Sequence, residues 1–183
     1  MRSLRLSQQQ VQTIVDHCIQ SLPDEACGLI AGREGKGEGI IPIKNVSENP
    51  TRHYQMDANE QLKALKLMDA ESLDWLAVFH SHPDSAPIPS QEDIRAAELN
   101  TPDIAHLIVS LQNNKSRLQA WHIHDGQVDE VELLIGQKRS EAIDPMSRLQ
   151  IRAVIFAILI AVVLLLTISF SLLPPAPPLP TPQ

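Results

Sequence analysis

The sequence predicts an α/β protein in which a mixed β-sheet is flanked by helices, followed by one C-terminal transmembrane helix. Two observations carry this prediction. Strand-like and helix-like segments alternate over residues 1–138, and residues 153–173 form a run that is apolar except for Thr167, Ser169 and Ser171. Between them we expect a basic juxtamembrane linker at residues 139–152, and after them a disordered, proline-rich tail at residues 174–183.

The charge balance argues against a nucleic-acid partner. The 183 residues include 15 Lys and Arg against 22 Asp and Glu, which gives a net charge of −7. Proteins that bind nucleic acid concentrate Lys and Arg against the phosphates. The charged residues all lie at or before Arg152, so the acidic character belongs to the N-terminal part of the chain. We therefore expect no nucleic acid as a partner.

The domain begins with a strand, a helix and a hairpin. Residues 4–6 alternate apolar and polar side chains as a half-buried strand does, and Ser7 can cap a helix that runs to about Leu22. A hairpin is indicated next by two apolar runs that flank a glycine-rich segment, at residues 27–31, 40–46 and 32–39. The glycine-rich segment does not end in Gly-Lys-Ser/Thr or open a helix, so it predicts a turn and not a phosphate site.

The second half of the domain continues the alternation. Asp57 can cap a helix over residues 58–73, and a buried strand follows at 75–79. Another helix is predicted over residues 90–99. The pattern then gives three further strands, at residues 104–111, 117–123 and 128–135.

Two histidines follow the buried strand at residues 75–79. His80 and His82 are two residues apart, so on an extended backbone both imidazoles project to the same side. Pro83 ends the strand, and the helix that opens at Ser90 can bring Asp93 back toward the pair. Two imidazoles and one carboxylate leave the fourth tetrahedral position open, as in catalytic zinc sites. The imidazoles favour zinc over other divalent metals.

Simpler interpretations of these residues remain open. Ser90 and Asp93 also have the spacing of a capping box, which requires no catalysis. A His-x-His pair can arise by chance on a strand, and we assign the second pair, His122 and His124, to a strand face or to the surface. The cap and the metal site are compatible, because a hydroxyl at a helix start can serve both the backbone and a substrate.

A hydrolytic zinc site also needs a general base. A carboxylate can take a proton from the attacking water and pass it to the leaving amine. Glu25 lies just ahead of the apolar run at residues 27–31, where a solvated turn is the ordinary expectation. Position alone does not identify the base.

Taken together, these stretches resemble the JAMM (MPN+) metallopeptidase family. The residues that match the family's pattern, in order along the chain, are Glu25 before Ala26-Cys27-Gly28, then His80-Ser81-His82-Pro83, Ser90 and Asp93. The resemblance covers about residues 3–135 and implies a cytidine-deaminase-like fold. It also implies that His80, His82 and Asp93 hold one zinc ion, that Glu25 is the acid/base, and that Ser90 stabilises the oxyanion.

The resemblance further implies a substrate class. Family members cleave peptide or isopeptide bonds after the C-terminal glycine of ubiquitin-like or sulfur-carrier proteins, and this chain is most similar to the short prokaryotic kind. We therefore expect a zinc metallopeptidase. The alternative is a non-catalytic module, similar to the family's metal-free members, that recruits a partner to the membrane.

The apolar run predicts the membrane attachment. Residues 153–173 would span about 31 Å as a helix, enough for a bilayer core of about 30 Å. Basic residues precede this run and no charge follows it. By the positive-inside rule, we expect a single-pass membrane protein whose catalytic domain faces the cytoplasm.

Overall fold

The computed structural model describes residues 3–101 and 103–136. The described part contains, in order, β1 (Ser3–Leu6), α1 (Gln8–Ser21), β2 (Cys27–Arg33), β3 (Lys36–Ile43), α2 (Ala58–Ala70), β4 (Asp74–His82), α3 (Gln91–Asn100), β5 (Ala105–Ser110), β6 (Arg117–His124) and β7 (Gln127–Ile135). Every predicted strand and helix of the domain is present, with bounds that shift by a few residues. The predicted α/β class is confirmed.

The strands form a closed barrel in the order β1-β3-β2-β4-β5-β6-β7. Strand β1 runs parallel to both of its neighbours, and β4 runs parallel to β5, while the other neighbours are antiparallel. The predicted mixed sheet is therefore correct, but the closure is not visible in the sequence. Closure depends on β1, which pairs with β7 along its whole length and with β3 only at Arg5.

Strand β4 lies at the centre of the packing because both of its faces are covered. Phe79 belongs to a core cluster with Ile14 and Cys18 of α1. Its neighbour Val78 belongs to a second cluster with Met68 of α2. A strand covered on both faces is apolar without alternation, which explains the continuous apolar run that marks β4 in the sequence.

The β2–β3 hairpin is tighter than the sequence predicted. Its turn is only Glu34 and Gly35, both with positive φ, and not the whole segment 32–39. The remaining glycines lie within the strands. At Gly32 an added Cβ would clash with the carbonyl oxygen of Lys36 on the facing strand, so this glycine permits a close approach of two backbones.

The predicted membrane segment falls outside the described residues. Within residues 3–101 and 103–136, no helix is long and apolar enough to cross a membrane. The predicted linker at 139–152, the span at 153–173 and the tail at 174–183 lie beyond that part of the chain.

Candidate metal centre

Strand β4 places His80 and His82 side by side at its carboxyl end. The strand continues through both residues because β5 pairs with it in parallel, with His80 opposite Ile108 and His82 opposite Ser110. The two ring centroids are 5.0 Å apart, and the two Nε2 atoms are 3.2 Å apart. His80 is fully buried and His82 is 6% exposed. The predicted same-side placement of the two imidazoles is therefore what the structure shows.

Helix α3 brings Asp93 to the same point. The Ser90 N–H donates to Asp93 Oδ2 at 2.7 Å and the Asp93 N–H donates to Ser90 Oγ at 3.1 Å, which makes a capping box. The same carboxylate lies 3.4 Å from His80 Nε2 through Oδ1 and 3.4 Å from His82 Nε2 through Oδ2. The cap therefore fixes Asp93 between the two imidazoles, and the two interpretations of this spacing coexist.

The loop between β4 and α3 is held in place by side chains from the neighbouring strands. The Ser110 hydroxyl donates to the Ser85 carbonyl at 2.6 Å, and the Trp121 indole N–H donates to the Pro87 carbonyl at 2.8 Å. These contacts come from β5 and β6. They fix the path by which the chain returns from β4 to the N-terminus of α3, and so they determine where Asp93 lies.

The spacing of the three side chains fits a tetrahedral metal ion. Zinc binds imidazole nitrogen and carboxylate oxygen at about 2.0–2.2 Å, and two ligands on one tetrahedron then lie about 3.3–3.6 Å apart. The two Nε2 atoms are 3.2 Å apart, and each lies 3.4 Å from one oxygen of the Asp93 carboxylate, Oδ1 for His80 and Oδ2 for His82. Among the described residues, His80, His82 and Asp93 are the group whose donor atoms could hold a metal.

The two imidazoles are oriented by different means. The His82 Nδ1–H donates to the Ala86 carbonyl at 2.9 Å, which leaves Nε2 as the free lone pair facing the site. The buried His80 Nδ1 has no hydrogen-bond partner. Instead the Tyr54 ring stacks on His80 with centroids 4.5 Å apart and planes 25° apart. Packing therefore orients His80, whereas a hydrogen bond orients His82.

Tyr54 was not found by sequence reasoning. It is the single tyrosine of the chain and lies in the irregular segment between β3 and α2. No spacing relates it to the His80–His82 pair, because the segment that carries it has no periodic pattern. Its uniqueness in the sequence was the one available signal.

Electrostatics favour an ionised Asp93. Burial opposes ionisation, but the imidazoles of His80 and His82 outweigh it and hold the pKa of the Asp93 carboxyl well below its usual range. Burial lowers the pKa of His80. Burial also acts to lower the pKa of His82, but Asp93 and the Ala86 carbonyl raise it above its ordinary value. The cluster thus combines a charged carboxylate with two imidazoles, which are donors that zinc binds.

Glu25 belongs to the same electrostatic neighbourhood. Its side chain is 6% exposed. Burial raises the pKa of Glu25 to about 7, His82 acts to lower it, and the carboxylates of Asp93 and Glu92 act to raise it. Asp24, the preceding residue, is only half-buried. The structure therefore brings Glu25 to the metal-ligand cluster as a buried carboxyl that can exist in both protonation states near neutral pH.

Asn45 fixes the backbone around Glu25, and sequence reasoning missed it as well. Its Nδ2 donates to the Glu25 carbonyl at 2.9 Å and to the His53 carbonyl at 3.0 Å. Its Oδ1 accepts the N–H groups of Ser47 and Gln55, each at 3.0 Å. One amide side chain thereby organises the segment that carries Tyr54 and ties it to Glu25.

A cavity of about 430 Å³ lies beside the cluster of His80, His82 and Asp93. It is bounded by α2, β4 and α3, with Tyr54, Met56, Trp75, Val78 and Thr101 among its walls. Tyr54 therefore contacts both sites, because its ring stacks on His80 and also lines the cavity. Glu25 and the three metal-ligand residues do not line this space.

The second histidine pair lies elsewhere, on β6. His122 and His124 are both half-buried, and the Asp129 carboxylate on β7 lies 3.8 Å from His124 Nε2. The assignment of this pair to a strand face agrees with its position.

Comparison with known proteins gives a consistent result. The sequence model of the prokaryotic homologs of the JAB domain matches residues 7–124. The CysO-cysteine peptidase of Mycobacterium tuberculosis is 35% identical over 123 residues, which cover 66% of this chain and 82% of that protein. The probable TtuB-protein conjugate cleaving protease of Thermus thermophilus is 41% identical over 86 residues, which cover 47% and 57% of the two chains.

A solved structure supports the same assignment. The solution structure of a protein from Desulfitobacterium hafniense is 35% identical, with a TM-score of 0.66, and the match covers 74% of this chain and 94% of that one. The residues matched by the family, 7–124, include Glu25, His80, His82, Ser90 and Asp93. This chain therefore belongs to the prokaryotic homologs of the JAB domain.

Proposed function

We propose that this protein is a membrane-anchored zinc metallopeptidase that hydrolyses a peptide or isopeptide bond after the C-terminal glycine of a ubiquitin-like or sulfur-carrier protein. The observation that carries the proposal is the convergence of His80, His82 and Asp93, at separations of 3.2 to 3.4 Å, beside the buried carboxyl of Glu25. A structural zinc site uses four protein ligands, whereas three leave a position for substrate or water.

The roles of the residues follow from their surroundings. When bound, zinc supplies a Lewis acid that polarises a carbonyl oxygen and acidifies water. Glu25, whose pKa burial raises to about 7, takes the proton of the attacking water and passes it to the leaving amine. Ser90 Oγ accepts the Asp93 N–H, so its own hydroxyl hydrogen is free to donate to the oxyanion at the N-terminus of α3.

The substrate class is supported by the relatives. Their names specify a CysO-cysteine substrate for one and a TtuB-protein conjugate for another. We extend this to a ubiquitin-like or sulfur-carrier protein joined through its C-terminal glycine to an amine. The acidic net charge of −7 and the buried carboxylates give no basis for a nucleic-acid substrate.

The membrane attachment is supported by the sequence of residues 153–173, which contains no charged residue. We place one span there, with the catalytic domain on the cytoplasmic side because the basic residues precede the span. Deletion of residues 149–183 is expected to move the protein from the membrane fraction to the supernatant after cell lysis. Retention of the shortened chain in the membrane fraction would contradict the anchor.

The hydrolytic function is tested with the full-length chain in detergent. We expect about one zinc per chain by elemental analysis, and cleavage of carrier proteins whose terminal glycine is joined to cysteine or to a lysine side chain. Removal of the metal by a chelator should abolish cleavage, and added zinc should restore it. Glu25→Gln should keep the zinc and lower the rate by about 10²- to 10⁴-fold, whereas the control Asp24→Asn should cleave normally.

Two results would overturn this function. Unchanged cleavage by Glu25→Gln would remove the assigned acid/base. Absence of both zinc and cleavage in the full-length chain would instead favour the non-catalytic module that recruits a partner to the membrane.

A further inference from the structure

Ser81 lies between the two metal-ligand histidines but faces away from them. On a strand, consecutive side chains point to opposite faces, so the Ser81 hydroxyl lies behind the metal-ligand cluster. The residue is fully buried. A buried hydroxyl needs hydrogen-bond partners, and one of them connects this serine to the segment that carries Glu25.

One partner is the backbone of Ala26, the residue after Glu25. The Ser81 N–H donates to the Ala26 carbonyl at 3.0 Å, and the Ala26 N–H donates to Ser81 Oγ at 2.8 Å. Both polar backbone groups of Ala26, its N–H and its carbonyl, are therefore hydrogen-bonded to Ser81.

The pairing of Ala26 with Ser81 differs from that of a regular antiparallel ladder. Cys27 of β2 lies opposite His80 of β4, so Ala26 lies opposite Ser81, one step beyond the start of β2. In a regular antiparallel pair, the Ala26 N–H would donate to the carbonyl of the opposite residue. Here it donates to the side chain. The hydroxyl therefore extends the pairing of β2 and β4 by one residue beyond the start of β2, to Ala26, which directly follows Glu25.

The backbone of Glu25 is held from the other side. Its N–H donates to the Pro50 carbonyl at 2.7 Å, and its carbonyl accepts the Asn45 amide at 2.9 Å. These two contacts come from the segment between β3 and α2. Ser81 supplies the contact that comes from the metal-ligand strand itself, so it sets the distance between Glu25 and the histidines.

We propose that Ser81 is a positioning residue, which uses Ala26 to hold the Glu25 carboxyl in place relative to His80, His82 and Asp93. This inference rests on the proposed hydrolytic function. Alanine would fit the same space but would leave the buried Ala26 N–H without an acceptor, whereas threonine would keep the hydroxyl. The histidines would keep their own supports, namely the pairing with β5 and the Ala86 carbonyl.

The kinetic test uses full-length Ser81→Ala and Ser81→Thr. We expect Ser81→Ala to lower kcat by about 10- to 100-fold, because small displacements of a reacting group have effects of this size. KM and the zinc content per chain should not change. Ser81→Thr should stay within about threefold of the unmodified protein, since a hydroxyl in the same place restores the contact.

A matched control is Ser7→Ala. The Ser7 hydroxyl also accepts a backbone N–H, that of Gln10 at 3.1 Å, but it does so at the start of α1. Its loss should lower thermal stability and leave kcat unchanged. A fall in kcat for Ser7→Ala as large as that for Ser81→Ala would overturn the proposal, because general destabilisation would then explain both.

A second measurement does not depend on activity. Amide hydrogen exchange of Ala26 in the metal-free protein should be at least about tenfold faster in Ser81→Ala, relative to Leu29 in the same variant, and Ser81→Thr should restore it. Unchanged exchange, unchanged kcat or loss of zinc in Ser81→Ala would each overturn the positioning role. If the unmodified chain cleaves no carrier protein, the proposed function fails, and the exchange rates still decide whether Ser81 holds the Glu25 segment.

Discussion

Two histidine pairs with the same spacing have opposite surroundings in this protein. His80 and His82 on β4 have ring centroids 5.0 Å apart, and His122 and His124 on β6 have centroids 4.7 Å apart. The first pair is almost fully buried, whereas the second is half-buried. The i, i+2 spacing therefore brings two imidazoles together on both strands. It does not by itself make a metal site.

The third group makes the difference. Asp93 lies 3.4 Å from both imidazoles of the first pair and is held by a capping box. Asp129 lies 3.8 Å from His124, and its side chain is 66% exposed. An exposed carboxylate gains little from such a contact because water and salt screen it.

The chain path explains why the two pairs acquired different third groups. After β4, a loop held by hydrogen bonds from Ser110 and Trp121 leads to the N-terminus of α3, which carries Asp93. After β6, Asp125 and Gly126, both with positive φ, turn directly into β7. A two-residue hairpin turn leaves no room for a helix start. A metal centre here thus requires the connection as well as the pair.

The largest expected effect is on zinc binding, and it distinguishes the carboxylate of Asp93 from that of Asp129. Asp93→Ala should weaken zinc binding by about 10³-fold or more, beyond the 10- to 100-fold typical of an outer-shell change, because it removes one of three ligands. Asp129→Ala is the control and should bind zinc like the unmodified chain. Metal-competition titration measures both. Zinc retained by Asp93→Ala, or lost by Asp129→Ala, would mean that the wrong pair has been assigned.

The next effect concerns the cost of burying Glu25. Burial raises its pKa to about 7 from 4.5, with His82 lowering it and Asp93 and Glu92 raising it. Between these two values the folded state keeps the Glu25 proton that the unfolded chain releases. The contribution of this carboxyl to the free energy of unfolding is therefore fully present below pH 4.5 and is lost as the pH rises to about 7. In metal-free protein, Glu25→Gln should therefore be more stable than the unmodified chain by about 2–3 kcal/mol at pH 8.5.

Urea unfolding at pH 5 and pH 8.5 measures this gain. It should be much smaller at pH 5, where the carboxyl is still protonated in the folded state. Asp24→Asn provides the comparison outside the buried cluster. Equal stability of Glu25→Gln and the unmodified chain at pH 8.5 would show that the ionised carboxylate costs nothing in the fold.

A smaller effect is expected at Tyr54. His80 Nδ1 has no hydrogen-bond partner and its ring is stacked by Tyr54, so the stacking replaces the usual second hydrogen bond of a metal-ligating imidazole. Tyr54→Leu should weaken zinc binding by about tenfold. Tyr54→Phe keeps the ring and should bind like the unmodified chain. Equal affinity for Leu and Tyr would show that β4 alone orients His80.

The smallest effect is expected at the second pair. The double variant His122→Thr and His124→Thr keeps residues suited to a strand, and it should change the free energy of unfolding by about 1 kcal/mol or less. Its zinc content should not change. A lower zinc content in this variant would show that the β6 pair also holds metal.

Much of the site could be predicted because its spacing is local. His80 and His82 alternate on one strand, and Ser90 and Asp93 occupy one helical turn, so each pair has a geometry set by its own secondary structure. That α3 can bring Asp93 back toward the histidines was predicted from the loop and the helix start that follow β4. Glu25 was assigned from the family pattern alone, because its burial depends on the segments packed around it.

Tyr54, Asn45 and Ser81 show what local patterns could not predict. Tyr54 and Asn45 act from an irregular segment, and no periodicity indicates where such a segment folds. Ser81 was visible only as the residue between two histidines. Its partner Ala26 is 55 residues away in the chain, and the contact exists because β2 and β4 are neighbours in the sheet.

The sequence by itself determined the order of elements, the buried central strand and the candidate metal ligands, because hydrophobic periodicity and short-range spacing are written in neighbouring residues. The tertiary structure decided the closure of the barrel through β1, the tight β2–β3 turn and the burial of Glu25. Each of these depends on which distant segments pack together. Burial and a third group supplied from another element, both set by the fold, distinguish the β4 pair from the β6 pair.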